Sequence, residues 1–134
     1  MNQTLQVLLV EDNAGDARLL REMFSKEKAG SFELTHLLRM SEAVVHLAKG
    51  AVDVVLLDLG LPDGHGLDTV RRAHAVAPGV PVIVLTGLGQ GNEGKLLNDG
   101  AAAFLLKTEK SLENNSRVLI QTVESVLARA KASV

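Results

Sequence analysis

Two kinds of hydrophobic pattern alternate along the chain. Short runs dominated by apolar residues, each ending in turn or polar residues, occupy Gln6–Val10, Phe32–Leu38, Val52–Leu57, Val82–Leu85 and Ala102–Leu106. Val7–Val10 and Val54–Leu57 are apolar at every position. Unbroken runs of this kind suit strands covered on both faces of a parallel sheet, not the in–out alternation of a half-exposed sheet. Between the runs the period lengthens to that of a helix. Asp16–Lys28 places Ala17, Leu20, Met23 and Phe24 on one side, Ser41–Lys49 places Val44, Val45 and Ala48, and Leu67–Val76 places Leu67, Val70 and Ala73. Leu112–Ala130 carries a long stripe through Leu112, Leu119, Val123, Val126, Leu127 and Ala130. Ser41 and Ser111 stand where N-caps belong, and Asp12 or Asn13 can cap the first helix. The weakest helical pattern is Leu88–Asp99, since Gly89, Gly91 and Gly94 each cost about 1 kcal/mol relative to Ala in a helix interior.

Five β-α units in succession predict an α/β fold, with right-handed crossovers placing helices on both faces of a parallel sheet. A length of 134 residues suits one domain over 1–134, and no repeat, low-complexity tract or linker interrupts it. Composition then removes several function classes. The chain has no cysteine, which excludes a disulfide scaffold, a thiolate metal site and a cysteine nucleophile. A net charge of −2 argues against a broad basic face for nucleic acid, and three Phe as the only aromatics leave no stacking platform for single strands. No apolar stretch is long enough for a membrane span, and Met1–Gln6 lacks the basic start of a secretion signal, so a cytoplasmic protein without membrane attachment is expected.

In an open parallel sheet, ligands bind beyond the C-terminal ends of the strands. Glu11 and Asp12 follow the first strand, Asp58 the third, Thr86 the fourth and Lys107 the fifth. Three carboxylates meeting at one rim repel, at about 4 kcal/mol per pair at 4 Å and an effective dielectric of 20. Raised pKa values or a bound cation would relieve that repulsion, and oxygen ligands without His or Cys favour a hard ion, Mg²⁺ above all. A carboxylate can also act as a nucleophile toward a phosphoryl group. A metal, the Lys107 ammonium and the Thr86 hydroxyl would then neutralise its equatorial oxygens. Residue chemistry thus leads to an aspartyl-phosphate site.

The same residues carry a family resemblance. Val7–Asp12 (VLLVED), Asp53–Asp68 (DVVLLDLGLPDGHGLD), Val82–Gly87 (VIVLTG) and Gly100–Lys107 (GAAAFLLK), in this order and spacing, resemble a receiver domain of the two-component response regulators. The resemblance implies a flavodoxin-like (βα)5 three-layer sandwich, with a five-stranded parallel sheet of strand order 2-1-3-4-5. It implies that Asp58 accepts a phosphoryl group from a histidine kinase or histidine phosphotransfer protein and that a downstream output protein or domain reads the result. Asp12, Asp58 and the backbone carbonyl of Gly60 would hold Mg²⁺, with Glu11 acting through a bound water. Lys107 would contact the phosphoryl oxygens, Thr86 would follow the phosphate, and Phe104 would turn inward behind it, although plain core packing also accounts for a Phe there. Pro62 and Gly66 match the family's turn after the acceptor. Such a domain is a switch and turns over no external substrate.

Departures from the pattern are informative. The family usually has Pro after the lysine, with a cis bond; Thr108 stands there, and a non-proline cis bond costs roughly 2.5–4 kcal/mol, so a trans bond or a locally different loop is expected. The first acid is Glu11 rather than Asp. Thr86–Gly100 is about one residue short of the family's usual length. Thr108 and the glycine-rich fourth helical pattern leave open an alternative: a receiver-like interaction module that does not switch on phosphorylation. Gly89-Gln-Gly91-Asn-Glu-Gly94 matches the dinucleotide fingerprint, with Glu109 about 20 residues on. It stands in the fourth unit with too little chain left for a dinucleotide fold. Acids after the first strand argue against a flavin phosphate, and Gly60 replaces the second Asp of a haloacid-type phosphatase. His65 is read as an exposed loop residue, and His36, His46 and His74 lack metal-ligand spacing.

Overall fold

A computed structural model describes residues 4–28, 31–58, 60–65, 67–86, 101–106 and 116–132. In chain order the elements are β1 (Leu5–Val10), α1 (Ala14–Lys28), β2 (Phe32–Leu37), α2 (Met40–Ala48), β3 (Val54–Asp58), a short hairpin β4 (Gly60–Leu61) and β5 (Gly64–His65), α3 (Leu67–Val76), β6 (Val82–Thr86), β7 (Ala101–Leu106) and α4 (Ser116–Ala132). The five long strands form one sheet in the order β2-β1-β3-β6-β7, and every pairing in it is parallel. This is the flavodoxin-like order 2-1-3-4-5 once the hairpin is set aside. The fourth helix of the expected five, over Leu88–Asp99, lies outside the described residues, as do Ser111 and Leu112.

Alternation along the strands divides the core in two. Val7, Leu9, Val54, Leu56, Ile83 and Leu85 face α1 and α4, meeting Leu20, Phe24, Val123 and Leu127 among others. Leu8, Val10, Val55, Leu57, Val82 and Val84 face α2 and α3, meeting Met40, Ala43, Leu47, Val70 and Ala73. The stretches Val7–Val10, Val54–Leu57 and Val82–Leu85 of the central strands are apolar at every position because neither face meets water. Each fully buried Leu or Val side chain there contributes about 1.5–3 kcal/mol by leaving solvent. Among the described residues, no helix is long and apolar enough to cross a membrane.

The element ends differ from the expectations for local reasons. Helix α1 begins two residues earlier because the Asn13 side chain accepts the Asp16 N–H at 2.9 Å. Strand β3 begins at Val54 and includes Asp58, so the acid closes the strand instead of following it. Just before that strand, the Asp53 carboxylate accepts the Gln6 N–H at 2.7 Å. The largest correction concerns α2. Ser41 is not its N-cap. Arg39 holds that position without a side-chain cap, and Met40 and Ser41 give their N–H groups to Asp63, at 2.7 and 2.9 Å. The buried face is Met40, Ala43 and Leu47, whereas Val45 is 61% exposed and Ala48 is exposed too. At the other end of α2, Gly50 has φ +80 and its N–H reaches the Leu47 carbonyl at 3.1 Å, the left-handed turn that favours glycine.

Candidate metal and phosphoryl site

Strand register brings the acids together before any side chain is considered. Val10 pairs with Leu57, so Glu11 and Asp58 are the next residues along two adjacent parallel strands. Neighbouring strands lie about 4.8 Å apart, and equivalent positions share a face. Strand β3 also pairs Asp58 with Leu85, the residue before Thr86. Carboxylate oxygens of Glu11, Asp12 and Asp58 all lie within 4.8 Å of one another. Glu11 is fully buried, Asp58 is 8% exposed, and Asp12 is exposed. The cluster is therefore a recess with two acids in its floor and one at its lip.

Glu11 is held from several directions. Its N–H continues the β1–β2 ladder by donating to the Leu37 carbonyl at 3.0 Å. Its carboxylate accepts the Asn13 N–H at 3.2 Å, which ties the acid to the start of α1. Its backbone carbonyl lies 2.6 Å from His36 Nε2. A carbonyl can only accept, so the imidazole carries its proton on Nε2 in this bond. His36 has no metal-ligand spacing to mark it in the sequence, and its partner is a backbone carbonyl 25 residues away.

The donor set fits a hard cation. Among the described residues, the ligand set is three carboxylates without nitrogen or sulfur, an oxygen site of high negative charge. Two buried charges within 4.8 Å repel by roughly 3–4 kcal/mol at an effective dielectric of 20, and a divalent ion turns that cost into attraction. Gly60, two residues beyond Asp58, opens the hairpin and pairs with His65.

That hairpin shows a second residue the sequence reading missed. Asp63 sits in its exposed turn beside Pro62 and sends its carboxylate to the start of α2. The bonds from the Ser41 and Met40 backbones hold its carboxyl below the usual carboxylate range. The Asp63 carbonyl accepts from Arg72 on α3 at 3.4 Å. The signal was present in Leu61-Pro-Asp-Gly64, a turn sequence, but nothing local says that its acid caps a helix 22 residues earlier.

Thr86 is the last residue of β6, on the edge that carries the acids, and pairs with Leu106 of β7. Its side chain, like those of Phe104 and His65, lies outside the described parts of the chain, as do Gly66, Lys107 and Thr108 entirely. His65 belongs to a strand of the hairpin instead of a plain loop.

Residues 7–121 match the family model of the response regulator receiver domain. The chain belongs to this family. It is similar to the swarming motility regulation protein RssB of Serratia marcescens, 33% identical over 115 residues that cover 85% of this chain and 51% of that one. It is also similar to the sporulation initiation phosphotransferase F of Bacillus subtilis, 31% identical over 85 residues, covering 63% and 66% of the two chains. The chain thus spans about half to two-thirds of the length of these curated relatives. A CheY-like receiver domain from Methanospirillum hungatei has the same fold, with a TM-score of 0.83 over 98% of this chain and 100% of its own at 22% identity. The receiver domain is a signalling module of two-component systems, and its acid recess stands on the sheet edge where open α/β folds bind ligands.

Proposed function

We propose that residues 1–134 form one cytoplasmic receiver in which Asp58 accepts a phosphoryl group in a Mg²⁺-dependent reaction. The observation that carries this reading is the meeting of Glu11, Asp12 and Asp58 oxygens within 4.8 Å. An Asp58 carboxylate oxygen attacks phosphorus, forming an O–P bond as the P–N bond of a donor phosphohistidine breaks. The leaving imidazole nitrogen keeps the electron pair and regains a proton. Asp12, Asp58 and the Gly60 carbonyl would hold the ion directly and Glu11 would act through a water. Bound there, Mg²⁺ would supply positive charge to phosphoryl oxygens that the acids alone would repel. The Thr86 hydroxyl and the Lys107 ammonium complete the charge neutralisation. The donor is a histidine kinase or histidine phosphotransfer protein, and the reader is an output protein or domain.

Incubation with acetyl phosphate and Mg²⁺ should add the mass of one phosphoryl group. Asp58→Asn should abolish the gain, and chelation of Mg²⁺ should suppress it. A wild-type chain that gains no phosphate from any small donor overturns the reading and leaves the interaction module, whose partner binding would ignore a beryllofluoride mimic.

A further inference from the structure

We propose that His36 is a positioning residue for the cation site, acting through the peptide that joins the two acids at the end of β1. The inference rests on the function proposed above and extends it to a residue outside the acid cluster. His36 lies on β2 opposite Leu9, two residues short of Glu11. The β1–β2 ladder runs out at Val10 and Leu37, so the Glu11 carbonyl lies beyond the last paired rung. The imidazole reaches past that end and gives its Nε2 proton to the Glu11 carbonyl at 2.6 Å. This is shorter than the usual 2.9–3.0 Å for an N–H···O bond.

The consequence follows from peptide planarity. The Cα atoms of Glu11 and Asp12 and the carbonyl between them belong to one rigid plane. Fixing that carbonyl, with the Glu11 N–H already tied to Leu37 at 3.0 Å, sets the direction in which the chain delivers Asp12. One hydrogen bond therefore orients both acids of the β1 end against Asp58. Without it the plane is free to rotate, Asp12 at the exposed lip loses its fixed approach, and the ion must order the loop as it binds. The cost falls on cation affinity, while Asp58 and the phosphoryl chemistry stay intact.

The test measures the Mg²⁺ concentration that gives half-maximal phosphorylation by acetyl phosphate in wild type, His36→Leu and His36→Gln, with a melting temperature for each. Glutamine places an amide N–H at a reach similar to imidazole Nε2; leucine fills the space without a donor. The expected result is an Mg²⁺ requirement raised about tenfold in His36→Leu, in line with lost outer-shell support at other metal sites. The rate at saturating Mg²⁺ should be retained, and His36→Gln should recover most of the affinity. A His36→Leu variant with the wild-type Mg²⁺ requirement overturns the inference, as does a glutamine variant no better than leucine at equal melting temperature. A wild type inert at every Mg²⁺ concentration overturns the proposed function itself and this inference with it. An active wild type with an indifferent His36 overturns only the inference.

Discussion

At the scale of single residues, Glu11 and Asp58 pose an electrostatic problem that most sheets avoid. Both are largely withdrawn from water, and their oxygens lie within 4.8 Å. Their repulsion in the metal-free protein, a few kcal/mol at most, should show as strain that a neutral isostere relieves. Asp58→Asn is expected to stabilise the metal-free chain by about 1 kcal/mol, raising its melting temperature by roughly 3–5 °C for a domain of this size. Thermal denaturation in the presence of chelator checks this, and an unchanged or lower melting temperature would mean that repulsion between the two acids does not limit the stability of the metal-free chain. The acids were legible from sequence because each ends an apolar strand, and strand ends define the ligand edge. His36 was not, because its role depends on a backbone carbonyl 25 residues away in the chain.

At the scale of elements, helix starts separate what local sequence can say from what it cannot. Asn13 caps α1 from three residues upstream of Asp16, a local pattern that can be read directly. Helix α2 is capped by Asp63, which stands 22 residues beyond Ser41, on the far side of β3 and in the turn of the hairpin. The expectation of a start at a local serine turns the buried face onto Val44, Val45 and Ala48, but Met40, Ala43 and Leu47 line the core, Val44 packs partly buried against it, and Val45 and Ala48 are exposed. Asp63→Ala should lower the melting temperature by a few degrees, typical of a lost N-cap, and loosen amide protection at the start of α2. Its pH dependence has a definite sign. The folded carboxyl is held below its usual value by the Ser41 and Met40 N–H groups. Its stabilisation is thus fully present above the unfolded value, about pH 3.9, and is lost as pH falls through the lower folded value. The gap in melting temperature between wild type and Asp63→Ala should be constant near neutrality and close below about pH 4. A gap that widens on acidification would contradict the capping role.

At the scale of the whole molecule, the parallel sheet, the two-sided core and the acid edge were legible in continuous apolar strands between amphipathic helices, whereas the strand order came from the resemblance to receiver domains. The hairpin after Asp58 was not, because a pair of two-residue strands built around Pro62 and Asp63 leaves no periodic signal. The same architecture links the site to global stability. Glu11 follows β1 and Asp58 ends β3, the two neighbouring strands whose buried residues supply both cores. An ion binding the acids must hold those strand ends together, and it binds the folded chain alone because the unfolded chain does not gather them. By mass action the stabilisation is RT ln(1 + [Mg²⁺]/Kd), about 2.7 kcal/mol at a hundredfold excess over Kd. The melting temperature should therefore climb with the logarithm of Mg²⁺ once Kd is passed. Removing one acid, in Asp58→Asn, should flatten that climb while raising its starting point. Deleting core volume at Leu56→Ala, 0% exposed on the α1 and α4 side, should do the reverse: a loss of about 2–5 kcal/mol with the slope retained. A Mg²⁺ titration followed by calorimetry on the three proteins separates the two effects, and parallel slopes in all three would mean that the ion does not bind at this edge.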